Sequence, residues 1–122
     1  MKTRESVENY LETILVESKR KEIVRAVDLC SHFGFSRPTV SVMLKKLRES
    51  GLVEIDSGNA LLLTEQGKKI AEETYERHCV ISKMLIMLGV SAETAKEDAC
   101  KIEHDLSEET YECLKKHLAK YE

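Results

Sequence analysis

The chain contains a single proline, and the setting of that residue governs what the N-terminal half can become. Pro38 stands just after Gly34, Phe35, Ser36 and Arg37. Glycine ends helices readily, serine caps the first turn of the next helix, and proline is tolerated in that turn because its missing N–H has no partner to lose. The segment therefore predicts a helix, a sharp turn and a second helix. Before the turn, Ala26, Leu29, Cys30 and Phe33 recur at helical spacing and predict a helix over 25–33. After it, Val40, Leu44 and Leu47 do the same, and that helix should end near Ser50 and Gly51. An earlier helix over about 5–18 carries Val7, Leu11, Ile14 and Leu15.

Two short apolar stretches follow, 52–55 and 60–63, separated by Asp56, Ser57, Gly58 and Asn59. Apolar runs around a turn-forming link predict a β-hairpin. Helix, helix, turn, helix, hairpin is the order of a winged helix-turn-helix. Beyond the hairpin every signal is helical. Thr64 can cap a long helix to about Leu88, stopped by Gly89; Ser91 can cap another to about Leu106; Ser107 can cap a last one carrying Tyr111, Leu114 and Leu118. The expected fold is mainly α, with a winged helix-turn-helix and its small hairpin wing over 1–63 and an all-helical dimerisation domain over 64–122.

The net charge of −3 argues against a nucleic-acid binder until its distribution is read. Residues 19–50 hold eight basic residues against three acidic ones, a balance of +5, whereas 64–122 carry −4. A basic front and an acidic back fit a DNA-reading half and a regulatory half. The N-terminus has no apolar leader core, and no apolar run reaches membrane-spanning length, so a cytoplasmic protein without membrane contact is expected. The four cysteines form no CxxC pair, which leaves a zinc ribbon without support.

The segment after the turn should read DNA. Arg37, Ser41, Val42, Lys45 and Lys46 lie off the inward stripe, Ser36 and Pro38 open the helix, and Thr39 and Ser41 can donate to phosphate at the helix N-terminus. Val42 suits either contact with a thymine methyl or core packing. Arg25 opens the preceding helix and could reach a phosphate, and the Ser57–Asn59 tip could touch the flanking groove.

Cys100, Glu103 and His104 are spaced i, i+3, i+4, which on one helix places a thiol, a carboxylate and an imidazole on a shared face. All three are metal-ligand types, and the rival reading is a surface Glu–His pair beside a buried cysteine. His78 lies midway along the long helix, and Asn9 and Glu12 share a face of the first helix.

Taken with Glu8–Ile14, Ser36–Ser41, Gly51–Val53, Leu63–Lys69, Arg77–His78 and Cys100–Ser107, the sequence resembles the diphtheria toxin repressor family of metal-dependent regulators over nearly its whole length. The resemblance implies a homodimer that binds a palindromic double-stranded operator when loaded with Fe(II) or Mn(II) and represses metal-uptake genes. It carries Cys100, Glu103, His104, His78 and Glu12 onto ligand positions. Asn9 stands where manganese sensors have Asp and iron sensors have Met. Cys100 is like the iron sensors and Glu12 like the manganese sensors, and the thiolate favours Fe(II) first, with Mn(II) next. Ser82 and Lys96 stand where iron sensors place ancillary-site ligands. The alternative is a winged-helix regulator switched by cysteine redox or a small ligand. A zinc hydrolase using His78, Glu103 and His104 lacks a HExxH motif and a nucleophile, so neither an enzyme nor a small organic substrate is expected.

Overall fold

Helix α1 (Lys2–Arg20) opens the chain, followed by α2 (Ala26–Phe33), α3 (Arg37–Glu49), β1 (Val53–Ile55), β2 (Leu61–Leu63), α4 (Glu65–Met87), α5 (Ala92–Ile102) and α6 (Glu108–Tyr121) in a computed structural model. The structure describes residues 2–121. Contacts divide it into two compact units, the first reaching Glu72 and the second starting at Glu73, so the boundary falls inside α4.

In the first unit the capping signals act as the sequence suggests. Gly34 ends α2 in the left-handed region at φ 73°, and its N–H reaches Cys30 O. Ser36 then caps α3, its Oγ accepting from Thr39 N at 3.3 Å. The inward stripe Val40, Leu44 and Leu47 joins Leu11, Ile14, Leu15, Leu29 and Val53 in one buried core. Val42 is 57% exposed, which decides its two readings against core packing. The strands pair antiparallel with Val53 opposite Leu63, and Leu61 N donates to Val24 O at 2.7 Å, tying the hairpin to the entry of α2. At the tip, Asp56 Oδ1 accepts from the N–H groups of Gly58 and Ala60, both at 2.9 Å.

Asp28 fastens the first turn of α2. Its carboxylate accepts from Lys21 Nζ and from Arg25 N, each at 2.8 Å. These bonds, the Lys21 ammonium first and the Arg25 N–H second, hold its pKa below the ordinary carboxylate value. A carboxylate with a lowered folded pKa stabilises fully above its unfolded pKa of about 4, and this contribution fades as pH falls through the folded value. Asp28→Asn should therefore lower the thermal midpoint at pH 7, with the gap to the parent closing on acidification. Melting curves at pH 7 and pH 3 check this, and equal midpoints at pH 7 would rule it out.

In the second unit Val80, Tyr111 and Leu118 are buried together, with Met84 and Leu114 packed against them. Ser91 caps α5 and Ser107 caps the first turn of α6, accepting from Thr94 N and Thr110 N. Helix α5 is shorter than its periodicity suggests, ending at Ile102 rather than near Leu106. Beyond that end a side chain from α4 satisfies the chain: Arg77 donates to the carbonyls of Glu103 and Leu106. Among the described residues no helix is long and apolar enough to cross a membrane.

Candidate metal centre and DNA-reading face

The second unit gathers three ligand types. Atoms of His78, Cys100 and Glu103 lie within 4.8 Å of one another. His78 projects from the middle of α4, Cys100 from the last turn of α5, and Glu103 from the C-cap of α5. Glu103 keeps helical dihedrals (φ −56°, ψ −27°), so it stays one turn from Cys100 although the helix has ended. His78 Nδ1 stands 3.7 Å from Cys100 Sγ and 3.4 Å from Glu103 Oε1.

Burial makes this group more than a chance meeting. The Glu103 side chain is wholly buried, and neither Oε1 nor Oε2 has a hydrogen-bond partner; the approach to His78 is an ion-pair contact without hydrogen-bond geometry. Burying a carboxylate with no donor is costly, and a compensating cation is the usual explanation. His78 shows the same demand for positive charge. Its pKa is pushed up to about 10, first by contact with Cys100 and then by Glu103, against the opposing effect of burial. A thiol, an imidazole and an undonated carboxylate fit a divalent transition metal.

The remaining sequence-based ligands are placed differently. His104 is buried in the turn after Glu103, outside the group of three. Asn9 and Glu12 are half-buried on α1, in the first unit.

On the first unit a concavity of about 560 Å³ runs between α3 and the wing, its rim including Arg25, Arg37, Ser41, Lys45, Arg48 and Asn59. Thr39, Val42 and Lys46 are exposed on the same helix. Ser36 and Thr39 share a 3.0 Å hydroxyl contact at its start, so Ser36 serves first as a cap. Pro38 occupies the first turn. Arg25 does something its position did not announce: its Nε donates to Gly58 O at 3.1 Å and ties α2 to the wing tip. Arg77 was likewise given no role by spacing, because its partners lie on other elements.

Comparison with known proteins agrees with this geometry. Residues 2–61 match the family described as "Iron dependent repressor, N-terminal DNA binding domain", and residues 64–122 match "Iron dependent repressor, metal binding and dimerisation domain". The transcriptional regulator MntR of Escherichia coli O6:H1 is 40% identical over 121 residues, covering 96% of this chain and 78% of that protein. An HTH-type transcriptional regulator of Methanocaldococcus jannaschii is 34% identical over 119 residues, covering 96% and 95%. Among solved structures, the manganese regulator SloR superposes with a TM-score of 0.82 at 33% identity, covering 93% of this chain and 53% of that one. A manganese-dependent transcriptional repressor in complex with manganese gives a TM-score of 0.84 at 28% identity, covering 93% and 52%. The chain thus spans about half the length of these solved structures.

A winged helix-turn-helix joined to a helical unit carrying a thiol, imidazole and carboxylate cluster defines a metal-dependent transcriptional regulator, not an enzyme. The chain belongs to the iron-dependent repressor family, that of the diphtheria toxin repressor.

Proposed function

We propose that the protein is a cytoplasmic homodimeric repressor that binds a palindromic operator when loaded with Fe(II) or Mn(II), and that it controls metal-uptake genes. The observation that carries this reading is Glu103, a buried carboxylate without a hydrogen bond, facing His78 and Cys100. Cys100, His78 and Glu103 are the core of the proposed ligand set, which extends to His104 and, from α1, to Glu12 and Asn9. A divalent cation supplies, when bound, the positive charge that the Glu103 carboxylate and the Cys100 thiolate lack. His78 gives up its proton on loading, since only the neutral imidazole ligates.

A ligand set that includes α1 links loading to the DNA-binding unit, and the link is reciprocal: operator binding strengthens metal binding as much as metal strengthens operator binding. On the DNA, Arg37, Thr39, Ser41, Lys45 and Lys46 take phosphates and base edges, with Val42 placed for a thymine methyl. Arg25 holds the wing tip. Half-sites about one helical turn, roughly 34 Å, apart suit two such helices in a dimer. The Cys100 thiolate weighs towards Fe(II), while the manganese-named relatives weigh towards Mn(II).

The test is an anaerobic titration on a duplex first selected from a random-sequence pool. Fe(II) and Mn(II) should each be compared with chelator, for the parent and for Cys100→Ala. Chelator is expected to weaken binding on the order of 100-fold, the scale on which a ligand shifts a two-state equilibrium. Cys100→Ala should lose most of the response to the preferred metal. Binding that survives chelator unchanged would sink the sensing role and leave DNA recognition standing.

A further inference from the structure

Arg77 precedes His78 on α4, belongs to no ligand set, and has a side chain only 14% exposed. Its Nη1 donates to Leu106 O at 2.9 Å and reaches Glu103 O at 3.4 Å. Its Nη2 pairs with Glu108 Oε2 at 3.0 Å, and the guanidinium lies 4.9 Å over the Tyr111 ring. One planar cation thus joins α4, the turn that leaves α5, and the first turn of α6.

Two consequences follow for the metal centre. His78 is bonded to Arg77 through the backbone of α4, and Glu103 is bonded to it through its own carbonyl oxygen. Arg77 therefore bridges the two segments that carry these ligands. In addition, Arg77 donates to the backbone oxygen of Glu103 and not to its carboxylate, which has no hydrogen bond. A cation that reached the carboxylate itself would neutralise it and compete with a metal. The guanidinium suits this task because its fork of donors can serve several acceptors at once, which a lysine ammonium cannot do in one plane.

We propose that Arg77 is a positioning residue for the metal centre: it holds the Glu103–Leu106 carbonyls so that the Glu103 carboxylate faces His78 and Cys100 and stays undonated. The inference rests on the reading of His78, Cys100 and Glu103 as ligands.

The experiment uses the full chain and Co(II) under anaerobic conditions. The parent should show a thiolate-to-cobalt absorption band that Cys100→Ser abolishes; without that band in the parent, the ligand reading itself fails, whatever Arg77 does. With the band present, Arg77→Gln and Arg77→Lys should each weaken cobalt binding by about tenfold or more, the usual effect of losing a partner that orients a ligand. In metal-free protein the same variants should exchange the amide hydrogens of residues 103–107 about tenfold faster. Glu108→Gln removes the ion pair but leaves the carbonyl bonds, so its cobalt affinity should stay within about threefold of the parent. The Lys variant keeps the charge and the stem and carries the test if the Gln variant does not fold. Unchanged cobalt affinity in both Arg77 variants, or an equal loss in Glu108→Gln, overturns the proposal.

Discussion

Glu103→Leu should make the metal-free protein more stable and cost it metal affinity on the order of 100-fold or more. The two effects have one origin. The Glu103 carboxylate is wholly buried, stands 3.4 Å from His78 Nδ1, and receives no hydrogen bond. A buried polar group without a hydrogen-bond partner costs about 1–3 kcal/mol, and His78, relieved of a carboxylate that helps hold its pKa up, can shed its proton and leave no unpaired charge behind. Leucine removes that cost, so a gain of roughly 1–3 kcal/mol in urea unfolding with chelator present is expected. Leucine also deletes a ligand, and since the loss of mere orienting partners costs 10–100-fold, the loss of the ligand should cost at least the upper end of that range. Calorimetric titration with Mn(II) and Co(II) measures the second effect. A variant that is destabilised in chelator and still binds metal like the parent would mean that Glu103 serves the fold alone.

Gly67→Ala should destabilise the first unit by roughly 3 kcal/mol or more, although alanine is the better helix former by about 1 kcal/mol. A Cβ at Gly67 would stand 2.0 Å from Leu52 O and 3.0 Å from Leu52 C. Neither atom can give way. Leu52 O accepts from Thr64 N at 3.1 Å, while Thr64 Oγ1 donates to Gly51 O at 2.7 Å and accepts from Gly67 N at 3.1 Å. The first turn of α4 is thus clamped onto the chain leaving α3, and a methyl group there forces backbone from backbone. A fall of about 10 °C or more in thermal midpoint is expected. Gly58→Ala is the control, because a Cβ there meets only Asp56 Oδ1, at 3.5 Å. If Gly67→Ala melted with the parent, the close approach of α4 to Leu52 would be wrong.

The two cases show different degrees of legibility. The order of elements could be read because its signals are local. Ser36 and Pro38 start α3, Gly34 ends α2, Ser91 and Ser107 cap their helices, and the buried faces follow the apolar spacing. Within the candidate metal centre, the pair Cys100 and Glu103 was visible as one helical turn. The approach of His78 to them was not, because it comes from α4, 22 residues before Cys100. In the wing the left-handed residue is Asn59, at φ 63°.

By itself, then, the chain determined its helices, its hairpin, its charge division and the residue types able to hold a metal, since each of these depends on neighbours a few positions away. Tertiary structure alone decided that Glu103 is buried without a donor, that Arg77 caps the carbonyls of Glu103 and Leu106 from 26 and 29 residues away, and that Gly67 tolerates no methyl group. Desolvation and steric contact are set by groups brought together from distant parts of the chain, and no spacing along the sequence records which groups those are.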